Sequence, residues 1–290
     1  IGKDFKTDYI VFALDAKGTT FRNELFENYK AQRPDVPEDL LTQLPVAISW
    51  VEKMGFKIAI RTGYEADDMV ASIAKDAKEK GFEVRIVSHD KDLYQLIDDE
   101  NSVYLFDPTK KQIINEAKCI EKYGVTPKQF IDYQALVGDT ADNIPGVKGV
   151  GAKTAQTLIE QFGTLENIYE NIENIDKKRT KELLIEGKEN AFLSKQLVTL
   201  KDDCHFISNI DEFSLPLENP ILKIASDLES YDMHRIIERV NKNGLNYKTE
   251  VPKKAEDEKI EYILLNNEND LTLAINKIPR DAIIAFDTET

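Results

Sequence analysis

Short apolar runs alternate with helically spaced apolar positions over the first third of the chain. The runs near Tyr9–Leu14, Lys57–Arg61, Glu83–Ser88 and Val103–Phe106 have strand length. The near-continuous run Val84–Val87 reads as a strand buried on both faces. Between the runs, apolar residues recur at helical spacing near Val46–Met54, and again at Ala66, Met69, Val70, Ile73, Ala74 and Ala77, which predicts a helix over Ala66–Lys80. This alternation predicts an α/β fold with a mainly parallel, twisted sheet and flanking helices. Residues 22–45 break the pattern: they are polar and charged and contain Pro34, Pro37 and Pro45, so they read as a long excursion from the core. Excursions of that length are usually functional or disordered.

From Asn115 onward the pattern turns mostly helical. Thr126-Pro127 supplies a capping residue followed by proline at the first helical position, opening a helix that runs toward Val137. Further helices are expected at Ala152–Phe162, Leu165–Ile172, Lys178–Ile185, Lys188–Leu200 and Met233–Asn241. Residues 246–258 carry almost no core material and read as a linker. Residues 259–290 restart with Ile260 to Leu265, a helix near Asn269–Lys277 and a final strand. The expected organisation is a first domain over 1–245, the linker, and the beginning of another domain over 259–290.

Composition narrows the class without deciding it. The chain has 290 residues, 41% of them hydrophobic and 31% charged, which describes a globular protein with a substantial core. No apolar run approaches the roughly 20 residues of a membrane span. Cys119 and Cys204 stand far apart, so neither a disulfide framework nor a cysteine-rich zinc site is indicated, and a cytoplasmic location is expected. The formal net charge of −15 argues at first against a nucleic-acid partner. Net charge is a sum, however, and basic residues gather in separate patches: Arg22, Lys30 and Arg33; Lys148 and Lys153; Lys177, Lys178, Arg179 and Lys181. The last patch is expected to be a solvated helix face.

The acids have an order of their own. Asp15 follows the first strand, Glu65, Asp67 and Asp68 occupy the first turn of the Ala66 helix, Asp90 and Asp92 follow the Val84–Val87 run, and Asp139 and Asp142 follow the helix ending near Val137. Converging acids repel one another by several kcal/mol unless cations neutralise them, so a group gathered at one sheet edge points to hard divalent ions, Mg²⁺ or Mn²⁺. That edge is also the usual ligand crevice of open α/β folds. If the chain stays extended, Asp90 and Asp92 point the same way. His89 forms no ligand spacing with His205 or His234 and reads as a surface or core residue.

A second signal is the string Ile144-Pro145-Gly146-Val147-Lys148-Gly149-Val150-Gly151-Ala152-Lys153-Thr154-Ala155. Its glycines permit left-handed dihedrals and close backbone approach, and the helix that follows points free N–H groups forward. A phosphate of a DNA backbone is the natural ligand, with Lys148 and Lys153 adding charge, and carbonyls of such a hairpin can also hold a monovalent cation.

The strings FALDAKGTTFR, GYEADDMVAS, SHDKDLYQL, LVGDTADNIPGVKGVGAKTA and AFDTET together resemble the 5′-nuclease family found at the N-terminus of bacterial DNA polymerase I, continuing into the first strand of its 3′–5′ exonuclease domain. The resemblance covers essentially the whole chain. It implies a PIN-like nuclease domain with a helical C-terminal part and a helix–hairpin–helix over about 143–163. It implies a metal-ligand set of Asp15, Glu65, Asp67, Asp68, Asp90, Asp92, Asp139 and Asp142 around two divalent ions. By our division the first four hold the tighter ion and the others hold or position a second, partly through water. The excursion at 22–45 resembles the family's arch over a single-stranded 5′ end, with Arg22 and Lys30 as catalytic contacts to the scissile phosphate. Tyr29 either stacks on a base or packs a helix. DNA contacts are expected from Tyr29, Arg33, Gly146, Lys148, Gly149, Gly151, Lys153 and Thr154, with K⁺ a candidate ion at the hairpin.

The resemblance, carried by five motifs in order, implies a structure-specific 5′–3′ exonuclease and flap endonuclease acting on DNA with a 5′ flap, nick or RNA primer in replication and repair. A monomer is expected. The alternatives are a PIN-like metal-dependent ribonuclease, which needs no duplex-gripping hairpin, and a non-catalytic DNA-binding module, which needs no acid clusters. In the family a strand bearing another metal-binding aspartate precedes the segment matching Ile1, so this chain alone is expected to be weakly active or inactive. Asp287 and Glu289 match the first two metal-binding acids of a proofreading exonuclease, without the remainder of that domain.

Overall fold

The computed structural model describes residues 7–205, 207, 209–216, 219–242 and 267–276. The chain divides into two compact units, Ile1–Ile237 and Glu238–Thr290. In the second, the described residues include helix α12, Glu268–Ile275, close to the helix expected near Asn269. The linker at 246–258, the final strand and Asp287 and Glu289 lie outside the described residues.

In the first unit, strands and helices alternate as the pattern requires. Strand β1 (Val11–Ala13) pairs in parallel with β2 (Lys57–Ala59), Val11 opposite Lys57. Strand β3 (Val84–Val87) pairs in parallel with β4 (Val103–Asp107), and β4 pairs antiparallel with β5 (Gln112–Ile114). The parallel pairing thus stands in two pieces, β1-β2 and β3-β4-β5. Helix α3 (Ala66–Glu79) packs against both β1 and β3. Its Met69, Ile73 and Ala77 join Ala59, Cys204 and Phe213, while its Ala74 joins Ile86, Leu93 and Leu105 in the larger core. Each large apolar side chain buried this way contributes about 1.5–3 kcal/mol.

The excursion is more ordered than its composition suggests. Helix α1 (Phe21–Leu25) opens it, and helix α2 (Glu38–Lys53) begins well before Val46 and carries Pro45 inside it. A proline there removes one intrahelical hydrogen bond, which is why the pattern alone placed the start of the helix after Pro45. Along α2 no residue is buried, so water can solvate the Leu41 carbonyl left without its partner. Leu40, Leu41 and Leu44 are exposed.

The helical half forms as expected around α5 (Pro127–Val137). Thr126 and Gln129 make a reciprocal capping box, and Pro127 stands at the first position, where its missing N–H has no intrahelical partner to lose. Helix α4 (Glu116–Tyr123), which the pattern did not announce, is capped by Asn115 and ended by Gly124 at φ 71°. Helices α6 (Ala152–Phe162), α7 (Leu165–Glu170), α8 (Lys178–Glu186) and α9 (Lys188–Val198) follow, with α5 lying along α9 and against α6. Two further helices, α10 (Ala225–Ser230) and α11 (His234–Lys242), come after an irregular stretch.

Candidate active site and DNA-binding hairpin

The acids converge where strands end and helices begin. Asp15, exposed just after β1, accepts a hydrogen bond from the Ala66 amide at 2.7 Å, which ties it to the first turn of α3. Asp90 does not continue an extended strand: its Oδ1 accepts from the Asp92 amide at 2.9 Å, and a 3₁₀ turn over Asp92–Leu96 follows. The chain turns because an aspartate side chain can stand in for a backbone acceptor two residues before the amide it caps. Asp92, Asp139 and Asp142 each present an oxygen, and these oxygens lie within 4.8 Å of one another. Burial, then the charges of Asp90 and Asp92, push the Asp67 carboxyl up to about 7. Burial raises Asp92 to about 6, with Asp90 and Asp139 adding to it and the Gln134 hydrogen bond opposing. Asp67, Asp90, Asp92 and Asp139 therefore share one electrostatic neighbourhood. A convergent set of carboxylate oxygens is the donor chemistry that hard divalent cations take.

Two members of the expected ligand and contact sets have other work. Arg22 is 1% exposed, and four hydrogen bonds and an ion-pair contact engage its guanidinium. Nη1 and Nη2 reach the two Asp68 oxygens at 2.8 Å each, Nε reaches the Leu197 carbonyl at 2.8 Å, Nη2 also reaches the Thr199 carbonyl at 3.3 Å, and Nη1 stands 3.4 Å from Glu65. With no donor facing outward, Arg22 does not present itself to a phosphate in this arrangement. Asp68 is fully buried and additionally accepts from the Glu65 amide at 3.0 Å and the Lys201 amide at 2.9 Å, so its oxygens are filled by protein donors rather than left for a metal. The pair instead fastens the start of α3 to the end of α9.

The remaining residues of the excursion lie directly over the acids. Tyr29 is buried, donating its hydroxyl to Glu65 at 3.0 Å, so of its two readings the packing one describes this structure. Lys30, in the left-handed region at φ 57°, reaches Glu65 at 2.8 Å and stands 3.8 Å from Asp142. Arg33, half exposed, pairs with Asp142. The Lys30 amide donates to the Asp142 carbonyl at 3.0 Å, and the Asn143 side chain donates to the Asn28 carbonyl at 2.7 Å. Sequence reasoning missed two partners of the acids. Lys91 is 2.9 Å from Asp139, and Gln134, buried on α5, donates Nε2 to Asp92 at 2.6 Å. A cation between Asp90 and Asp92, and an amide on the inward face of α5, were the available signals.

The connection that carries Asp139 and Asp142 also begins the hairpin. Asp139 and Ile144 exchange backbone hydrogen bonds at 2.9 and 2.7 Å, and the Val147 amide donates to the Leu136 carbonyl at 2.8 Å. Gly138 and Gly146 are back to back: a Cβ on Gly146 would lie 2.5 Å from the Gly138 nitrogen. Both have positive φ, 74° and 59°, so these two positions require glycine for space as well as for conformation. The Gly146 amide donates to the buried Ser194 hydroxyl at 2.9 Å, anchoring the hairpin to α9. Beyond it, Gly151 caps α6 without a side-chain hydrogen bond and with open space where a Cβ would be. Free N–H groups at such an end favour an anion. Lys148, Gly149 and Lys153 are exposed and Thr154 half-buried, and neither lysine has an ion-pair partner among the described residues.

An acid-lined edge next to a glycine hairpin with exposed lysines is the arrangement expected of a metal-dependent nuclease. Comparison with known proteins specifies it. The model of the 5′–3′ exonuclease N-terminal resolvase-like domain matches residues 1–124, and that of the 5′–3′ exonuclease C-terminal SAM fold matches residues 125–220. The chain belongs to the 5′–3′ exonuclease family. It is 36% identical over 243 residues to a 5′–3′ exonuclease of Aquifex aeolicus, covering 83% of this chain and 81% of that protein. It is 43% identical over 228 residues to DNA polymerase I of Helicobacter pylori, covering 77% of this chain but 24% of the polymerase. The chain thus spans about a quarter of the length of the polymerases it matches. Among solved structures it is similar to the 5′-exonuclease of T5 with bound zinc, at TM-score 0.57 and 28% identity over 65% of this chain and 73% of that one. It is also similar to a bacteriophage T5 flap endonuclease in a complex with DNA and metal ions, at TM-score 0.58 and 26% identity over 76% of this chain and 82% of that one. Among the described residues, no helix is long and apolar enough to cross a membrane.

Proposed function

We propose that the chain is the nuclease part of a DNA polymerase I, hydrolysing phosphodiester bonds at 5′ ends and 5′ flaps of DNA during primer removal and repair. The observation that carries this reading is the meeting of Asp92, from the turn after β3, with Asp139 and Asp142, from the connection that starts the glycine hairpin, their oxygens within 4.8 Å of one another. Two divalent ions, Mg²⁺ or Mn²⁺, when bound among Asp15, Glu65, Asp67, Asp90, Asp92, Asp139 and Asp142, supply Lewis acidity that lowers the pKa of a water and neutralises the departing 3′-oxygen. The protein's own part is orientation. The Ala141 amide and Lys91 hold Asp139, Gln134 holds Asp92, and Tyr29 and Lys30 hold Glu65. Lys30 and Arg33, already on the acids, are placed to meet an incoming phosphate. The hairpin, with Gly146, Lys148, Gly149, Gly151, Lys153 and Thr154, grips the duplex and offers its carbonyls to a monovalent cation such as K⁺. The protein works as a monomer in the cytoplasm.

The test is three reactions: a DNA duplex with a 5′ flap in Mg²⁺, a hairpin RNA in Mg²⁺, and the same flap duplex after the metal is chelated. Metal-dependent release of the flap supports the reading. Cleavage of the RNA alone would replace it with a ribonuclease, and binding of the flap duplex without cleavage, by this chain and by an N-terminally extended one alike, would leave a DNA-binding module.

A further inference from the structure

The acids whose oxygens meet come from two parts of the chain. Asp92 follows β3, in the segment matched by the N-terminal family model, while Asp139 and Asp142 follow α5, in the segment matched by the C-terminal one. The backbone of Asp92 is fixed: its amide donates to Asp90 at 2.9 Å and its carbonyl accepts from Gln95 Nε2 at 2.8 Å. Gln95 is itself held by the end of α9, donating to the Val198 carbonyl at 2.9 Å and accepting from the Leu200 amide at 3.1 Å. What the backbone leaves free is rotation of the Asp92 carboxylate. Gln134 Nε2, 2.6 Å from Oδ1, takes up that freedom and ties Asp92 to α5.

Gln134 differs in kind from the partners of the other two acids. Lys91 on Asp139 and Arg33 on Asp142 are charged, with side chains 40% and 53% exposed. Both are repelled by a divalent ion among the carboxylates and can turn out into water. Gln134 is neutral and 2% exposed, on a helix whose Phe130, Ala135 and Leu136 are fully buried. Neither repulsion nor solvent draws it away. Its Oε1 is buried with no hydrogen-bond donor among the described residues. A buried acceptor left unpaired costs about 1–3 kcal/mol, and with Nε2 committed to a carboxylate the amide cannot flip to relieve it. A donor arriving beside Asp92 offsets that cost, and a water on a bound divalent ion is such a donor.

We infer that Gln134 is the positioning residue of this ion site: it locks Asp92 onto the element that delivers Asp139 and Asp142, and so sets the affinity for the ion that these acids share. The inference rests on the reading of the acids as a divalent-ion site. Mn²⁺ binding to the full chain, without DNA, is followed by titration calorimetry, and the binding event lost in Asp139→Asn is assigned to this site. In Gln134→Met, which keeps the length of the side chain and removes both polar atoms, that event should weaken about 10–100-fold while any other Mn²⁺ event keeps its parental affinity. In an Asp92→Asn background the same substitution should add little, because the carboxylate it positions is gone. Gln134→Asn, whose amide is one methylene too short to reach Asp92, should weaken the event as well, and it supplies the result if circular dichroism shows the methionine variant unfolded. Parental affinity in a folded Gln134 variant, or an equal loss with and without the Asp92 carboxylate, overturns this inference and leaves the ion site standing. A parent chain with no Mn²⁺ event sensitive to Asp139→Asn overturns both.

Discussion

At the acid edge the cations are occupied: Arg22 holds Asp68, Lys30 holds Glu65, Arg33 holds Asp142 and Lys91 holds Asp139. At the hairpin, Lys148 and Lys153 stand in solvent with no acid among the described residues to hold them. The two edges share the backbone between Gly138 and Gly146 yet place charge in opposite ways. Where chemistry requires like charges close together, the fold buries them and supplies fixed counter-ions and donors, because unpaired buried charge costs several kcal/mol. At the hairpin, where the proposed function requires a long polyanion to be held and released, charge is left exposed and unpaired, and the backbone supplies the shape.

The sharpest way to break this comparison is Asp142→Asn. It should lower flap cleavage by orders of magnitude while leaving duplex binding in Ca²⁺ largely intact, and turnover similar to the parent would remove the acid edge from the chemistry. Next in size is Arg22→Met, which strands the Asp68 carboxylate in the core. A loss of about 3–5 kcal/mol in urea unfolding is expected, as for other broken buried pairs. The double change Arg22→Met with Asp68→Leu should recover part of it, and a single variant as stable as the parent would deny Arg22 its fastening role.

A pH series tests the electrostatics at intermediate size. The Asp67 carboxyl, raised to about 7 from 3.8, holds its proton more tightly in the folded chain than in the unfolded one. Stability of the metal-free protein should therefore fall as pH rises from about 4 to about 7. Mg²⁺-dependent cleavage should move the other way, rising through pH 6 to 7 as Asp92 and Asp67 give up protons to leave ligand oxygens free. Asp67→Asn should flatten the stability profile, and an unchanged profile would show that the acids do not crowd one another. The smallest effect belongs to Lys153→Ala, which should make the salt slope of duplex binding shallower by about 0.9 and change affinity only severalfold. An unchanged slope would erase the contrast between the two edges.

Much of this was legible in the sequence because it is local. Helix α6 begins at Ala152 as the glycine string requires, and α5 begins at Pro127 as Thr126-Pro127 requires. The acid clusters were readable as strand ends and helix starts. The roles of Arg22, Tyr29 and Asp68 were not, since basic, aromatic and acidic residues near a site look alike until burial is known. Asp68 lies next to Asp67 in sequence, but a helix turns neighbouring side chains about 100° apart. One faces the acids of the β3 edge and the other faces the guanidinium of Arg22.

The sequence by itself determined the order of strands and helices, the family, and the clusters of acids and glycines, all of which depend on residue types at fixed short spacings. Tertiary structure alone decided which acids keep free oxygens, which cations are spent inside the molecule, and that Leu183 of α8 packs against Gly149 of the hairpin. Those outcomes depend on contacts such as Arg22 with Leu197 and Gly149 with Leu183, whose partners are far apart along the chain and meet only when the core closes.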